Sequence, residues 1–99
     1  MLLRQGDVLI QSTKSIPKGA ARLPHAILAH GEVTGHSHRI EDAETVELFE
    51  LDGTLYLRVK SQAATVVHQE HGPITIPPGE YKVWRQREYT PTEIRVIRD

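Results

Sequence analysis

Two histidines in this sequence have a spacing that suits metal binding. His36 and His38 lie two residues apart in a segment, residues 36–40, that we predict to be a strand. Residues i and i+2 of a strand project from the same face, with Cα atoms about 6.5 to 7 Å apart. Two imidazoles at that separation can bind one ion at about 2.0–2.1 Å from each nitrogen. The same pair on a solvated face would be an ordinary polar surface, so the pair alone does not establish a site.

A carboxylate follows this pair at the same strand parity. Continuing the alternation brings Ile40, Asp42 and Glu44 to the face that carries the two histidines. Asp42 is therefore the carboxylate best placed to complete a set of two histidines and one carboxylate. Such a set suits a divalent ion of Zn, Fe, Mn or Ni, all of which accept imidazole and carboxylate ligands.

A second histidine pair, His68 and His71, strengthens the metal hypothesis. A spacing of three does not place both side chains on one face of a regular strand. A strand end or bulge near Gly72 would bring them together. Two pairs in a chain with six histidines favour a shared metal or substrate site over a polar strand end. We interpret His25 and His30 as ordinary histidines, although His30 would join the site if the turn after it preserves the strand register.

The composition excludes several classes of protein. Its 99 residues suffice for one domain, which we place at residues 1–99. Twelve basic and thirteen acidic residues give a net charge of −1, whereas a nucleic-acid binder of this size usually carries a basic excess. The sequence has no Cys for disulfides or thiolate ligands, and no apolar run approaches the roughly 18 residues of a membrane span. The start turns polar after Leu2 and Leu3, so we expect no secretory signal and a cytoplasmic protein.

The elements that must position these histidines are strands, because the dominant hydrophobic period is two. Asp52-Gly53 lies between two β-rich runs, the signature of a type I′ hairpin. Thr90-Pro91 resembles the start of a short C-terminal helical turn. We predict an all-β domain, a small barrel or sandwich of about seven to eight short strands. The predicted strands cover residues 7–11, 25–30, 36–40, 46–51, 54–59, 63–68, 72–77 and 80–89.

Residues 31–42, followed by Pro77-Pro78-Gly79, resemble the two motifs of the cupin family. The first cupin motif contains a Gly, a His-x-His pair and a carboxylate, and this chain has Asp42 where that carboxylate is usually Glu. The leading glycine lies one residue too close, and Lys82 falls near the position of the fourth family ligand. The resemblance implies a small β-barrel with a metal at its mouth. A histidine of the second pair would then replace the missing ligand.

The whole chain also resembles a group of small bacterial and phage-encoded proteins that are functionally uncharacterised. Four segments carry this likeness: residues 4–9, 31–38, 70–74 and 85–91. The likeness supports one integral domain and implies no activity.

The sequence is therefore compatible with three functions. The first is a cupin-like protein that binds a divalent metal and acts on a small molecule, whether or not it is an enzyme. The second is a non-catalytic interaction module with structural histidines. The third and weakest is a single-strand nucleic-acid binder that uses Arg85, Arg87 and Tyr89. We also expect a homodimer or higher oligomer, because a short barrel exposes strand edges.

Overall fold

Strands make up nearly all of the regular structure in the computed structural model, which describes residues 1–31 and 35–86. One short 3-10 turn, Ala43–Thr45, interrupts them. The strands are β1 (Leu2–Gln5), β2 (Val8–Ser12), β3 (Ala21–Arg22), β4 (Ile27–His30), β5 (Ser37–Ile40), β6 (Val46–Leu51), β7 (Thr54–Val59), β8 (Ala64–Val67), β9 (Ile74–Ile76) and β10 (Gly79–Arg85). The predicted all-β class is confirmed.

The strand count is higher than predicted, at ten within the described residues. Residues 2–5 pair as a strand before the first one expected, and the segment between the predicted strands 7–11 and 25–30 contains the two-residue strand β3. The predicted last strand begins as expected, and its described part ends at Arg85. The predicted C-terminal helical turn lies outside the described residues.

The strands form two antiparallel sheets with the core between them. One sheet has the order β1-β2-β10-β7-β6-β3 and the other the order β4-β5-β8-β9. Apolar side chains from alternate strand positions fill the interior, as the period of two requires. The core residues are Val8, Ile10, Leu28, Ile40, Val46, Leu48, Leu57, Val59, Ala64, Val66, Ile76, Tyr81 and Val83. Each sheet keeps two edge strands in the described part of the chain, so the arrangement is a sandwich rather than a closed barrel.

Two tight hairpins shape the larger sheet. Asp52 and Gly53 have φ angles of 51° and 82°, so the predicted type I′ turn is present between β6 and β7. A second two-residue turn, Gly6-Asp7, joins β1 and β2 where Gln5 pairs with Val8. Gly6 has a φ of 60°, which suits the first central residue of a type II′ turn. This second turn carries polar residues toward the interior of the sandwich.

In the smaller sheet, β5 pairs with β8 through Arg39 opposite Val67 and Ile40 opposite Val66. The chain enters β5 directly after His36 and leaves β8 directly before His68. Both predicted histidine pairs therefore lie at the same end of this sheet. Within the described residues, no helix is long and apolar enough to cross a membrane.

Candidate metal centre

Four histidines meet where β5 begins and β8 ends. Continuing the β5–β8 register by one step places His38 opposite His68, and their ring centroids are 4.2 Å apart. The ring centroids of His68 and His71 are 4.8 Å apart, and those of His36 and His68 are 5.9 Å apart. Imidazoles that share one tetrahedral ion hold their centroids about 5 Å apart, given ion–nitrogen distances near 2.0–2.1 Å. We call these four residues the histidine cluster.

Gln5 fixes the orientation and tautomer of His38. Both side chains are buried, with 3% of Gln5 and 2% of His38 exposed. Gln5 Nε2 donates to the carbonyls of Val66 and Gly72, at 3.1 and 2.9 Å, which leaves Oε1 facing His38 Nδ1 at 2.9 Å. Because an amide oxygen only accepts, the neutral His38 ring carries its proton on Nδ1 and its lone pair on Nε2. Metal-ligating histidines are held in this way by a partner on the other ring nitrogen.

The lone pair of His38 faces a carboxylate from the first hairpin. His38 Nε2 lies 3.8 Å from Asp7 Oδ1. Arg85 binds the other oxygen, with its Nε and Nη2 at 3.0 and 2.9 Å from Oδ2. Two atoms that bind the same divalent transition-metal ion lie about 3.0–3.4 Å apart. The distance between His38 Nε2 and Asp7 Oδ1 is therefore about half an ångström too long for a shared ion. A nitrogen lone pair and a carboxylate oxygen thus border one small space.

His68 and His36 are held differently. His68 Nδ1 accepts a hydrogen bond of 2.9 Å from the backbone N–H of Glu70, so its neutral ring carries the proton on Nε2. His36 Nδ1 is buried and has no hydrogen-bond partner among the described residues. The carboxylate oxygen Glu70 Oε2 lies 3.5 Å from it. An unsatisfied buried polar atom costs about 1–3 kcal/mol, so His36 leaves the cluster incomplete on this side.

Two glycines let the backbone approach the rings. A Cβ on Gly6 would lie 2.7 Å from His71 Nε2 and 3.3 Å from His38 Cε1. A Cβ on Gly31 would lie 3.1 Å from His68 Nε2. Distances below 3.0 Å require a shift of the neighbouring atoms, so Gly6 is needed both for its positive φ and for its closeness to the rings.

Burial favours the neutral form of two rings in the cluster, His38 and His68. The pKa of His38 is lowered from 6.5 to about 4, first by burial and then by the neighbouring His68. The pKa of His68 is lowered as well, by burial and then by His71. Since a metal ligand must be a neutral imidazole, both shifts favour a metal over a proton.

The cluster gathers donor atoms without closing them around an ion. Within residues 1–31 and 35–86, no group of three or more His, Cys, Asp or Glu side chains is placed to hold a metal ion. The 3.8 Å gap between His38 and Asp7 and the hydrogen bond on His68 Nδ1 account for this in physical terms. A metal ion would therefore require a small inward movement of these side chains.

The structure brings together all four predicted histidines but does not bring Asp42 to them. Asp42 Oδ1 accepts from the backbone N–H of Glu44 at 3.0 Å and caps the 3-10 turn. Four extended positions separate Asp42 from His38, which is about 13 Å at the usual rise of a strand. The shared parity was correct for Ile40, which is buried with His38, but the distance along the strand is too long for a common ion.

The sequence reasoning missed Gln5 and Asp7. The available signal was the polar Gln5-Gly6-Asp7 stretch between two apolar runs, a pattern typical of a hairpin turn. Nothing in that pattern indicates that Gln5 is buried or that it contacts His38, which lies 33 residues later in the chain.

The two remaining histidines have local roles in the described structure. His25 Nδ1 accepts a 3.1 Å hydrogen bond from the backbone N–H of Ile27. His30 ends β4, is exposed, and uses its carbonyl to accept from Arg85 Nη1 at 2.9 Å.

No curated protein and no solved structure is significantly similar to the chain. The sequence model of one family, described as Domain of unknown function (DUF8820), matches residues 4–86. The matched range covers well over half of the chain and contains Gln5, Asp7 and the whole histidine cluster. The chain therefore belongs to this family.

Proposed function

We propose that the protein binds one divalent transition-metal ion, of Zn, Fe, Mn or Ni, at the histidine cluster. His38 Nε2 and Asp7 Oδ1 are the central ligands, and His71 is the third. The observation that carries the proposal is the tautomer of His38: Gln5 holds the proton on Nδ1 and directs the Nε2 lone pair toward Asp7. A carboxylate beside a neutral, buried nitrogen donor is a combination that attracts a cation.

His71 is preferred to His68 as the third ligand. The bond from Glu70 N–H occupies His68 Nδ1, so His68 Nε2 carries a proton and has no lone pair for an ion. His71 Nε2 borders Gly6 on the side where His38 Cε1 also lies. His68 then acts as a positioning residue that packs between the two ligating rings.

A set of two histidines and one carboxylate leaves coordination positions open on the ion. A metal with open positions polarises a bound oxygen atom or lowers the pKa of a bound water. This chain's residues would hold the ion, exclude bulk water through the buried His38, and keep the carboxylate oriented through Arg85. The cupin resemblance supports metal binding here, because its His-x-His pair includes His38, although His36 is not among the proposed ligands.

The test is a titration of untagged, chelator-treated protein with Zn²⁺, Mn²⁺, Ni²⁺ and Fe²⁺, followed by calorimetry. We expect one ion per chain and a metal-dependent rise in melting temperature, because the ion binds the folded state. Asp7→Asn keeps the shape of the side chain and removes its charge, so it should weaken binding by tenfold or more, by analogy with losses of about 10–100-fold for supporting groups.

Further variants assign the ligands. His71→Gln should abolish the rise in melting temperature, whereas His68→Gln should reduce it only in part. His25→Gln is the matched control and should bind like the wild type. Absence of any saturable metal binding would refute the proposal, and equal losses in His25→Gln and His71→Gln would refute the ligand assignment.

The alternative of an interaction module has its own supporting observation. Met1 and Leu2 are 63% and 55% exposed at the edge strand β1 of the larger sheet. An exposed apolar edge is a template for pairing with another chain. Self-association through β1 predicts a dimer in sedimentation experiments, and Leu2→Lys should shift it to a monomer. A monomer at high micromolar concentration would contradict this alternative.

A further inference from the structure

A cleft of about 660 Å³ lies outside the histidine cluster, where the β6–β7 turn meets the end of β10 and the strand β4. Ligand pockets in proteins usually measure about 300–1,000 Å³, so this cleft is large enough for a small molecule. It does not include any ring of the cluster, and nothing in the proposed metal site uses it.

The cleft combines an aromatic ring with positive charge. Lys82 and Trp84 lie two residues apart in β10 and project from the same face of the sheet, opposite the core residue Val83. The indole of Trp84 is half-buried. The charged lining residues of the cleft are Lys82 and Arg85, and no carboxylate is among the described residues that line it.

The two cations are not equivalent. Arg85 is paired with Asp7 and also donates to the carbonyl of His30. Lys82 is exposed and forms no ion pair with any other described residue. Its ammonium group is therefore the charge in the cleft that is available to a ligand.

We propose that this cleft binds a small aromatic carboxylate, with its ring against Trp84 and its charge near Lys82. Planar apolar rings stack favourably on an indole face, and an ammonium group forms charge-assisted hydrogen bonds with a carboxylate. Gln11, which pairs with Lys82 across β2 and β10, adds a neutral hydrogen-bonding group. The proposal does not depend on metal binding.

The experiment uses the fluorescence of Trp84, the single tryptophan of the chain. Chelator-treated full-length protein is titrated with benzoate, and in parallel with benzamide, at constant ionic strength. For a ligand of this size we expect saturation in the millimolar range, and at least about tenfold weaker binding of the uncharged amide. Lys82→Gln should weaken benzoate binding by about tenfold, since it removes the charge-assisted contact.

Two further variants make the result decisive. Gln11→Glu adds a negative charge beside Lys82 on the sheet surface and should weaken benzoate binding to a similar degree. Lys60→Gln makes the same charge change as Lys82→Gln just beyond the far end of β7, away from the cleft, and should leave binding unchanged. Far-UV circular dichroism and melting temperature establish that each variant is folded. Lack of saturation by benzoate, equal binding of benzamide, or equal losses in Lys60→Gln and Lys82→Gln would each overturn the proposal.

Discussion

Two polar clusters in this molecule satisfy their charges in opposite ways. On the outer face of the larger sheet, Arg58 lies between two carboxylates, 2.8 Å from Glu47 and 3.0 Å from Glu80. Arg22 and Lys60 approach Glu47 as well, at 3.3 and 3.8 Å. We call these five residues the outer ion-pair network. Hydrogen bonding to Arg58 lowers the pKa of Glu47, and Glu47 raises the pKa of Arg58 in return.

The site at the histidine cluster is compensated only in part, because Arg85 pairs with Oδ2 of Asp7 and leaves Oδ1 facing His38. Burial lowers the pKa of His38 and of His68, and neighbouring histidine rings lower both pKa values further. Asp7 faces the neutral His38 rather than a protonated one, since the pKa of His38 is about 4. The outer network therefore already contains its cations, whereas His38 presents a nitrogen lone pair beside the carboxylate oxygen that Arg85 does not bind.

The largest expected loss in the free energy of unfolding comes from removing the Gln5 side chain. Gln5→Ala leaves the buried His38 Nδ1–H without its acceptor and removes the donor to two backbone carbonyls. We expect a loss of about 4 kcal/mol in the free energy of unfolding, since each unsatisfied buried group costs about 1–3 kcal/mol. Chemical denaturation measures it. The matched control is Gln11→Ala on the exposed part of β2, which should change stability by less than about 0.5 kcal/mol. Similar losses in both variants would mean that Gln5 does not support the cluster.

The second-largest effect is a difference between the histidine cluster and the outer ion-pair network in how their contributions to stability depend on pH. His38 takes up a proton near pH 6.5 when unfolded but only near pH 4 when folded, so the unfolded state binds more protons between these values. Metal-free protein should therefore lose up to about 3 kcal/mol of stability as the pH falls from 6.5 to 4. Glu47, whose pKa is lowered from 4.5, contributes stability that is lost only below that pH. Denaturation curves that are flat between pH 6.5 and 4.5 would contradict the burial of a neutral His38.

A smaller effect tests the close approach of the backbone to the rings. Gly6 and Gly53 both have positive φ, at 60° and 82°, but a Cβ on Gly53 meets nothing within 4 Å. Gly53→Ala should cost about 1 kcal/mol through backbone strain alone. Gly6→Ala should cost about 1–3 kcal/mol more, because its Cβ overlaps His71 Nε2 and the packing must shift. Melting curves of the two variants give this difference in stability directly. Equal losses of stability would show that the histidine rings move aside for the added Cβ at no energetic cost.

The smallest effect is expected in the outer network. Glu47→Gln removes the shared partner of three cations, yet the pairs lie at the surface and are screened by water. We expect a loss below about 1 kcal/mol that disappears at high salt. A loss of several kcal/mol that is insensitive to salt would mean that this network, rather than the histidine cluster, carries the larger energetic role.

The parts of the fold that depend on neighbouring residues could be predicted from the sequence. The β6–β7 hairpin follows from Asp52-Gly53, because only residues that tolerate positive φ form a type I′ turn. The alternation of apolar residues in β6 and β7 agrees with the side chains that enter the core there, Val46, Leu48, Leu57 and Val59. The first strand and the short strand β3 were missed, because two- and four-residue strands at a sheet edge have too little periodicity to detect.

The candidate site was only partly predictable, since it depends on which strands pair. The type and spacing of His36 and His38 indicated a possible ligand pair, and the β5–β8 pairing brings the second pair to them. The carboxylate of the site was not predicted correctly. Asp42 shares the strand parity of His38, but the carboxylate that reaches His38 comes from Asp7, 31 residues earlier in the chain. No local pattern encodes a contact at that separation.

The most direct test of the account is a ¹⁵N NMR measurement of the imidazole nitrogens during a Zn²⁺ titration of chelator-treated protein. Without metal, His38 should show a protonated Nδ1 and an unprotonated Nε2 at neutral pH, as its hydrogen bond to Gln5 requires. One equivalent of Zn²⁺ should shift His38 Nε2 and a nitrogen of His71, while the Nδ1 proton of His38 is retained. A His38 ring protonated on Nε2, or unchanged when Zn²⁺ saturates other histidines, would contradict the account.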